Sequence, residues 1–102
     1  MTSRYHDEAA EEAEIEIGYY ESIRPGLGES FSKSVIEGLD RILKRPRLYP
    51  RSIHGGLKRE VRACSLRGFP FSVIYQILES EIVILAVAHH RHRPGYWRRR
   101  QS

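Results

Sequence analysis

The sequence predicts an α+β protein in the order β-α-α-β-β-β, with an N-terminal helical hairpin packed on a small antiparallel sheet. Three observations lead there. Residues 7–44 place apolar side chains at helical spacing and are interrupted once, by Arg24-Pro25-Gly26, where proline cannot continue the hydrogen-bond ladder. Beyond residue 58 the apolar period shortens to two, the spacing of strands. The last such run, Ile82 to Ala88, is apolar at every position, so it belongs near the middle of a sheet with both faces covered. A chain of 102 residues has room for one core, and residues 1–102 are taken as a single domain.

Ser3 to His6, with Tyr5 as its one large apolar residue, reads as an edge strand. A helix begins at Asp7, and Asp7, Glu8, Glu11 and Glu12 crowd its first turns, where the positive end of the helix dipole favours acids. Ala9, Ala10, Ala13, Ile17 and Tyr20 form one apolar stripe, while Ile15, Tyr19 and Ile23 form a second on nearly the opposite side. A surface helix needs only one stripe. The second implies either a helix sandwiched between the sheet and the next helix, or a partner protein that covers it. The next helix runs from Leu27 to Lys44, with Phe31, Val35, Leu39 and Ile42 on one face and Ile36 and Leu43 widening it.

The stretch RPRLYPRSIHGGLKR carries Pro46, Pro50 and the Gly55-Gly56 pair and reads as irregular. In residues 58–66 Val61 and Ala63 point to one side, Arg62 and Cys64 to the other. Arg67-Gly68 makes a turn, after which Phe71, Val73, Tyr75 and Ile77 share one face of a strand ending near Leu78. Glu79-Ser80 leads directly into the apolar run.

The sole cysteine, Cys64, excludes an internal disulfide and fits a reducing interior. No apolar run approaches the roughly 18 residues of a membrane helix, and TSRYHDEAAEEAE lacks the basic-then-apolar order of a signal peptide. The expectation is a soluble cytoplasmic protein without a membrane partner. Its formal charge of +4 conceals an asymmetry: residues 1–40 hold three cations and ten acids, net −7, and residues 41–102 hold fourteen cations and three acids, net +11. Such a split suits a basic half that faces a polyanion or an acidic protein. The alternative is that the two halves simply pair with each other.

The apolar strand runs into His89, His90, Arg91, His92, Arg93, Tyr96 and Trp97. Cleaving RNA without a metal requires a base for the 2′-hydroxyl, cations for the charged phosphorus and an acid for the leaving oxygen. His89, His90 or His92 would supply the base or acid, and arginine the phosphate clamp. The same histidines also fit a plainer role, capping the strand end. No cysteine or spaced carboxylate completes a zinc site with them, so neither metal nor cofactor is expected. Tyr96 and Trp97 have two readings, stacking on nucleobases or folding back to close the core; exposure is favoured for Tyr96 and core closure for Trp97. Arg59, Arg62 and Arg67 would make a cationic strip along the first strand of the meander, and residues 98–102 a mobile, solvated basic tail.

Several segments together resemble the RelE/ParE toxins of bacterial type II toxin-antitoxin systems. They are YYESIRPGLGESF, RILKRPRLYP, the glycine pair followed by KREVR, FPFSVIYQI and EIVILAVAHHRHRPGYW, spanning about Asp7 to Trp97. The resemblance implies a helical hairpin on a small antiparallel sheet, and a toxin, as in plasmid stabilisation, neutralised by an acidic antitoxin encoded next to it. RelE-like members cleave messenger RNA on the ribosome; ParE-like members inhibit DNA gyrase by binding. Ser72 stands where the nuclease branch carries a phosphate-clamping arginine, and the PGYW ending looks ParE-like. The leading expectation is therefore a ParE-like gyrase inhibitor. One alternative is a ribosome-dependent endoribonuclease with Arg62, Arg91, Arg93 and Tyr96 as its catalytic set; another is a degenerate toxin that retains only antitoxin binding. The antitoxin or target surface would draw on Arg59, Arg62, Arg67, His89, His90, Arg91, Arg93, Tyr96 and Trp97. A homodimer or a heterotetramer with the antitoxin stays open.

Overall fold

The computed structural model describes residues 1–102. Helices α1 (Asp7–Ile23) and α2 (Leu27–Lys44) pack on one face of a sheet made of β1 (Thr2–Tyr5), β2 (Val61–Ser65), β3 (Phe71–Ile77) and β4 (Glu81–His89). The strand order is β1-β4-β3-β2. The α+β architecture is the expected one, and β2, β3 and β4 form the expected meander. β1 joins β4 in parallel, so the sheet is mixed rather than purely antiparallel.

The hairpin closes through backbone chemistry at its corner. Gly26 takes the left-handed conformation, φ 90°, which glycine adopts without steric cost. Glu21 folds over the junction and accepts the N–H groups of Gly26 and Gly28, each at 3.1 Å; these are free donors at the positive end of α2. A Cβ on Gly28 would lie 2.6 Å from the Ile17 carbonyl oxygen, so a larger residue there would push the helices apart.

Ala9, Phe31, Val35 and Ile42 of the helices meet Phe71, Val73, Tyr75 and Ile77 of β3 in the main core. Phe31 packs edge-on against Phe69 and Phe71, both centroids at 5.1 Å, and stacks on Tyr20 at 5.2 Å, geometries that aromatic rings favour. Two expectations need correction. Ile36 and Leu43 do not widen the core but stay exposed, and so do Ile15, Tyr19 and Ile23. The two helices lie side by side in one layer, so α1 is not sandwiched and its second stripe has no cover within the chain.

β4 is buried from Ile82 to Ala88, in the middle of the sheet as its sequence required. The pairing of Ile74 with Ala86 and Tyr75 with Ile84 leaves Leu85 as an extra residue in β4. Leu85 and Ala86 consequently fall on the same side of the sheet, away from the helices, and Val87 returns to the helix side. A one-residue insertion reverses the parity of everything after it. That is why His89 reaches the helix-side core and meets the Phe71 ring edge at 4.9 Å.

No helix covers the other face. Val61, Ile74, Val83, Leu85, Ala86 and Ala88 are closed there by Trp97, which is 3% exposed. Core closure by Trp97 is as the sequence suggested. The tail behind it is docked rather than free, although Arg98 and Arg99 stay exposed: Arg98–Arg100 form a helical turn, and the Ser102 N–H donates to Gln76 at 2.9 Å. Residues 98–102 dock because the exposed side of β4 offers apolar surface and unpaired backbone for them to cover.

Candidate functional site

The segment after β4 is pinned to the strand end by local hydrogen bonds. The His90 N–H donates to Pro70 O at 2.8 Å, and the Arg91 N–H to His89 Nδ1 at 3.0 Å. His90 Nε2 lies 3.0 Å from Ser72 Oγ. The His92 ring stacks on Tyr96 at 3.6 Å. His89 and His90 therefore have local partners of the plainer kind, and the two arginines expected to serve ligands, Arg91 and Arg93, project into solvent without an ion pair.

Tyr96 is not an exposed stacking ring. Its hydroxyl donates to Glu12 Oε2 at 2.8 Å, and the Arg100 guanidinium lies 5.1 Å from its ring centre. Burial first, and then the Glu12 carboxylate, raise the tyrosine pKa far above its ordinary value. Tyr96 is thus held as a neutral donor. Arg100 has a side chain only 8% exposed and pairs with Glu8 and Glu12, each at 3.1 Å. Burial works against its charge, but the two carboxylates outweigh that and raise its pKa.

Glu12 was not singled out from the sequence, and it joins the N- and C-terminal parts of the chain. Beyond Tyr5, which pairs with Ile84, no strand flanks β4 on the β1 side. There the Val87 N–H donates to Glu12 Oε1 at 3.1 Å, while the carbonyl of the bulged Leu85 accepts from Arg100 at 2.9 Å. An acid and a base from the two ends of the chain satisfy backbone groups that would otherwise be orphaned. The only signal in the sequence is that Glu12 lies three residues after Ala9 and one before Ala13, at the border of the buried stripe.

The residues proposed as a strip along β2 are not brought together. Arg62 turns inward, 17% exposed, to donate to Glu60 at 2.9 Å and to Tyr49 O at 2.7 Å. Arg59 donates to the terminal Ser102 O at 3.1 Å, and Arg67 sits exposed in the turn, where its carbonyl accepts from Ser34. Burial would raise the Glu60 pKa, but hydrogen bonds and charge from Arg47 and Arg62 prevail and lower it. Arg62 belongs to this structural cluster. It sits opposite Tyr75, whereas Ser72, beside the histidines, pairs with Ser65 three residues along the strand. Arg93 and Tyr96 border one depression with His89, His90 and His92, but Arg62 and Arg91 are outside its lining, so the four candidate nuclease residues do not converge as a set.

Two surfaces bear on partner binding. An apolar groove of about 280 Å³ runs between the helices beside β1, lined by Tyr5, Ala10, Ala13, Ile17, Val35 and Ile36. It adjoins the outer edge of β1, which has no strand beyond it. The opposite edge is covered, since Ser52 N donates to Val61 O and Ala63 N to Pro50 O. The second surface is basic, with Arg93, Arg98 and Arg99 around one shallow depression.

The fold and these surfaces define a small basic α+β protein whose chemistry lies on its exterior. No helix is long and apolar enough to cross a membrane. The sequence profile described as ParE toxin of type II toxin-antitoxin system, parDE, matches residues 4–94, and the chain belongs to the ParE toxin family. No curated protein matches the sequence. Among solved structures, the chromosomal ParDE toxin-antitoxin system from P. aeruginosa is similar, with a TM-score of 0.72 and 18% identity over 87% of this chain and 95% of that chain. At that identity the likeness concerns the fold.

Proposed function

We propose that the protein acts as a toxin by binding, with DNA gyrase as its target, and that a cognate acidic antitoxin neutralises it. The observation that carries the reading is the dispersal of the nuclease set. Arg62 is tied to Glu60 and the Tyr49 carbonyl, and the Tyr96 hydroxyl to Glu12, while Ser72 occupies the position of the clamping arginine. General acid–base work needs groups within hydrogen-bond reach of one substrate, and although Arg93 and Tyr96 border one depression, Arg62 and Arg91 lie outside its lining. The groove between the helices beside the free edge of β1 suits an antitoxin that lays down a helix and an adjoining strand.

The test is induction of the chain in bacteria without its antitoxin, with purified gyrase assayed in parallel. Blocked supercoiling and a DNA damage response with intact translation are expected, and Tyr96→Phe should leave both unchanged. Immediate arrest of protein synthesis with cut messages would replace this reading with the ribosome-dependent endoribonuclease.

A further inference from the structure

The irregular segment between α2 and β2 carries the two most exposed large apolar side chains of the protein, Ile53 at 87% and Leu57 at 99%. Single exposed apolar residues are ordinary. This pair is different because both side chains border one depression and the turn that carries Ile53 is held firmly. Residues 50–52 run along β2 through Ser52 N–Val61 O at 2.8 Å and Ala63 N–Pro50 O at 3.0 Å. The Ser52 side chain caps the short turn Ile53–Gly55 through the His54 N–H, and Arg98 donates to the His54 carbonyl at 2.9 Å. Gly55 is pressed on the strand so closely that a Cβ there would lie 2.7 Å from Val61 Cβ.

The segment that carries the pair is cationic, with Arg51 beside it on the same depression. Residues 45–59 contain Arg45, Arg47, Arg51, Lys58 and Arg59 and no acid, and the nearest carboxylate along the chain, Glu60, is already engaged by Arg47 and Arg62. An apolar tip carried by an anchored turn loses less conformational freedom on burial than one on a free loop, and a cationic segment steers it towards negative surface.

We propose that Ile53 and Leu57 form a prong that inserts into an apolar pocket within an acidic surface of the toxin's target protein. The proposal rests on the reading above that the chain acts by binding, and it assigns the target to a surface separate from the groove between the helices. The prong would leave the antitoxin groove free, since the two draw on different segments of the chain.

The test is the full-length double variant Ile53→Ser with Leu57→Ser. Both side chains lie outside the core, so thermal unfolding and antitoxin binding should match the parent. Growth arrest on induction should be lost, and gyrase affinity should fall about tenfold or more, as expected for a docking hot spot. Undiminished toxicity of the variant would overturn the prong while leaving the gyrase reading intact. Growth arrest that needs the prong but leaves supercoiling untouched would keep the prong and sink gyrase as its partner. Loss of antitoxin binding in the variant, a parent dimer that the variant dissolves, or prong-dependent binding to phosphatidylglycerol vesicles would each assign the prong to another occupant and overturn the proposal. A parent chain that neither arrests growth nor binds gyrase removes the target, and the prong's role with it.

Discussion

Arg99 and Arg100 are neighbours in sequence and opposites in the fold. Arg99 is exposed and makes no ion pair, whereas Arg100 is drawn under Tyr96 to meet Glu8, Glu12 and the Leu85 carbonyl. The same contrast separates Arg93 from Arg62. What sorts them is an acid within reach together with backbone carbonyls that need a donor, since a guanidinium leaves water only when its charge and its N–H groups find partners. The inward arginines hold the fold, and the outward ones remain available to other molecules.

The largest expected effect breaks the inward side of that contrast. Arg100→Ala removes the cation that pairs with Glu12 and the side-chain donor to the Leu85 carbonyl and should cost about 2–4 kcal/mol, lowering the thermal midpoint by roughly 4–8 °C per kcal/mol for a chain of this size. Arg99→Ala should stay within about 0.5 kcal/mol. Equal midpoints for the two variants, measured by circular dichroism, would erase the distinction.

A smaller effect is expected at the second inward cluster. The Glu60 carboxyl is held below its ordinary 4.5 by Arg47 and Arg62. A lowered folded-state pKa stabilises above the unfolded value and is lost as pH falls through the folded one. Glu60→Gln should therefore cost about 1–2 kcal/mol near neutrality, and the gap should narrow as denaturant titrations are taken below pH 4.5. A gap that stays constant across that range would mean that charge is not what holds the cluster.

The smallest effect on stability, and the sharpest on association, belongs to the outward side. Arg91→Ser combined with Arg93→Ser should change stability by less than about 0.5 kcal/mol. It should slow association with an acidic partner at low salt and make little difference at high salt, where screening has already removed the steering. Rates that respond to neither salt nor substitution would show the exposed arginines to be bystanders.

Much of this was legible beforehand, and for local reasons. The helix boundaries at Asp7, Ile23, Leu27 and Lys44 follow from proline, glycine and the apolar period. The shared face of Phe71, Val73, Tyr75 and Ile77 follows from strand alternation. Arg62 and Tyr96 were misjudged because side chains that look free in a linear reading are claimed by Glu60 and Glu12, the latter 84 positions away from Tyr96. Periodicity carries no information about such a distant partner. Helical spacing assigns Ile36 to the packed face because it reports a stripe but not how much of it a neighbour covers.

The sequence alone determined the helical hairpin, the meander, the buried course of β4 and the concentration of cations in the second half, since each depends on contacts between near neighbours or on composition. Only the tertiary structure decided that β1 joins β4 in parallel, that Leu85 bulges and resets the faces after it, and which arginines turn inward. Those outcomes depend on where β1 ends beside β4 and on which acid of α1 then faces the unpaired backbone, and both arise only when the two ends of the chain come together.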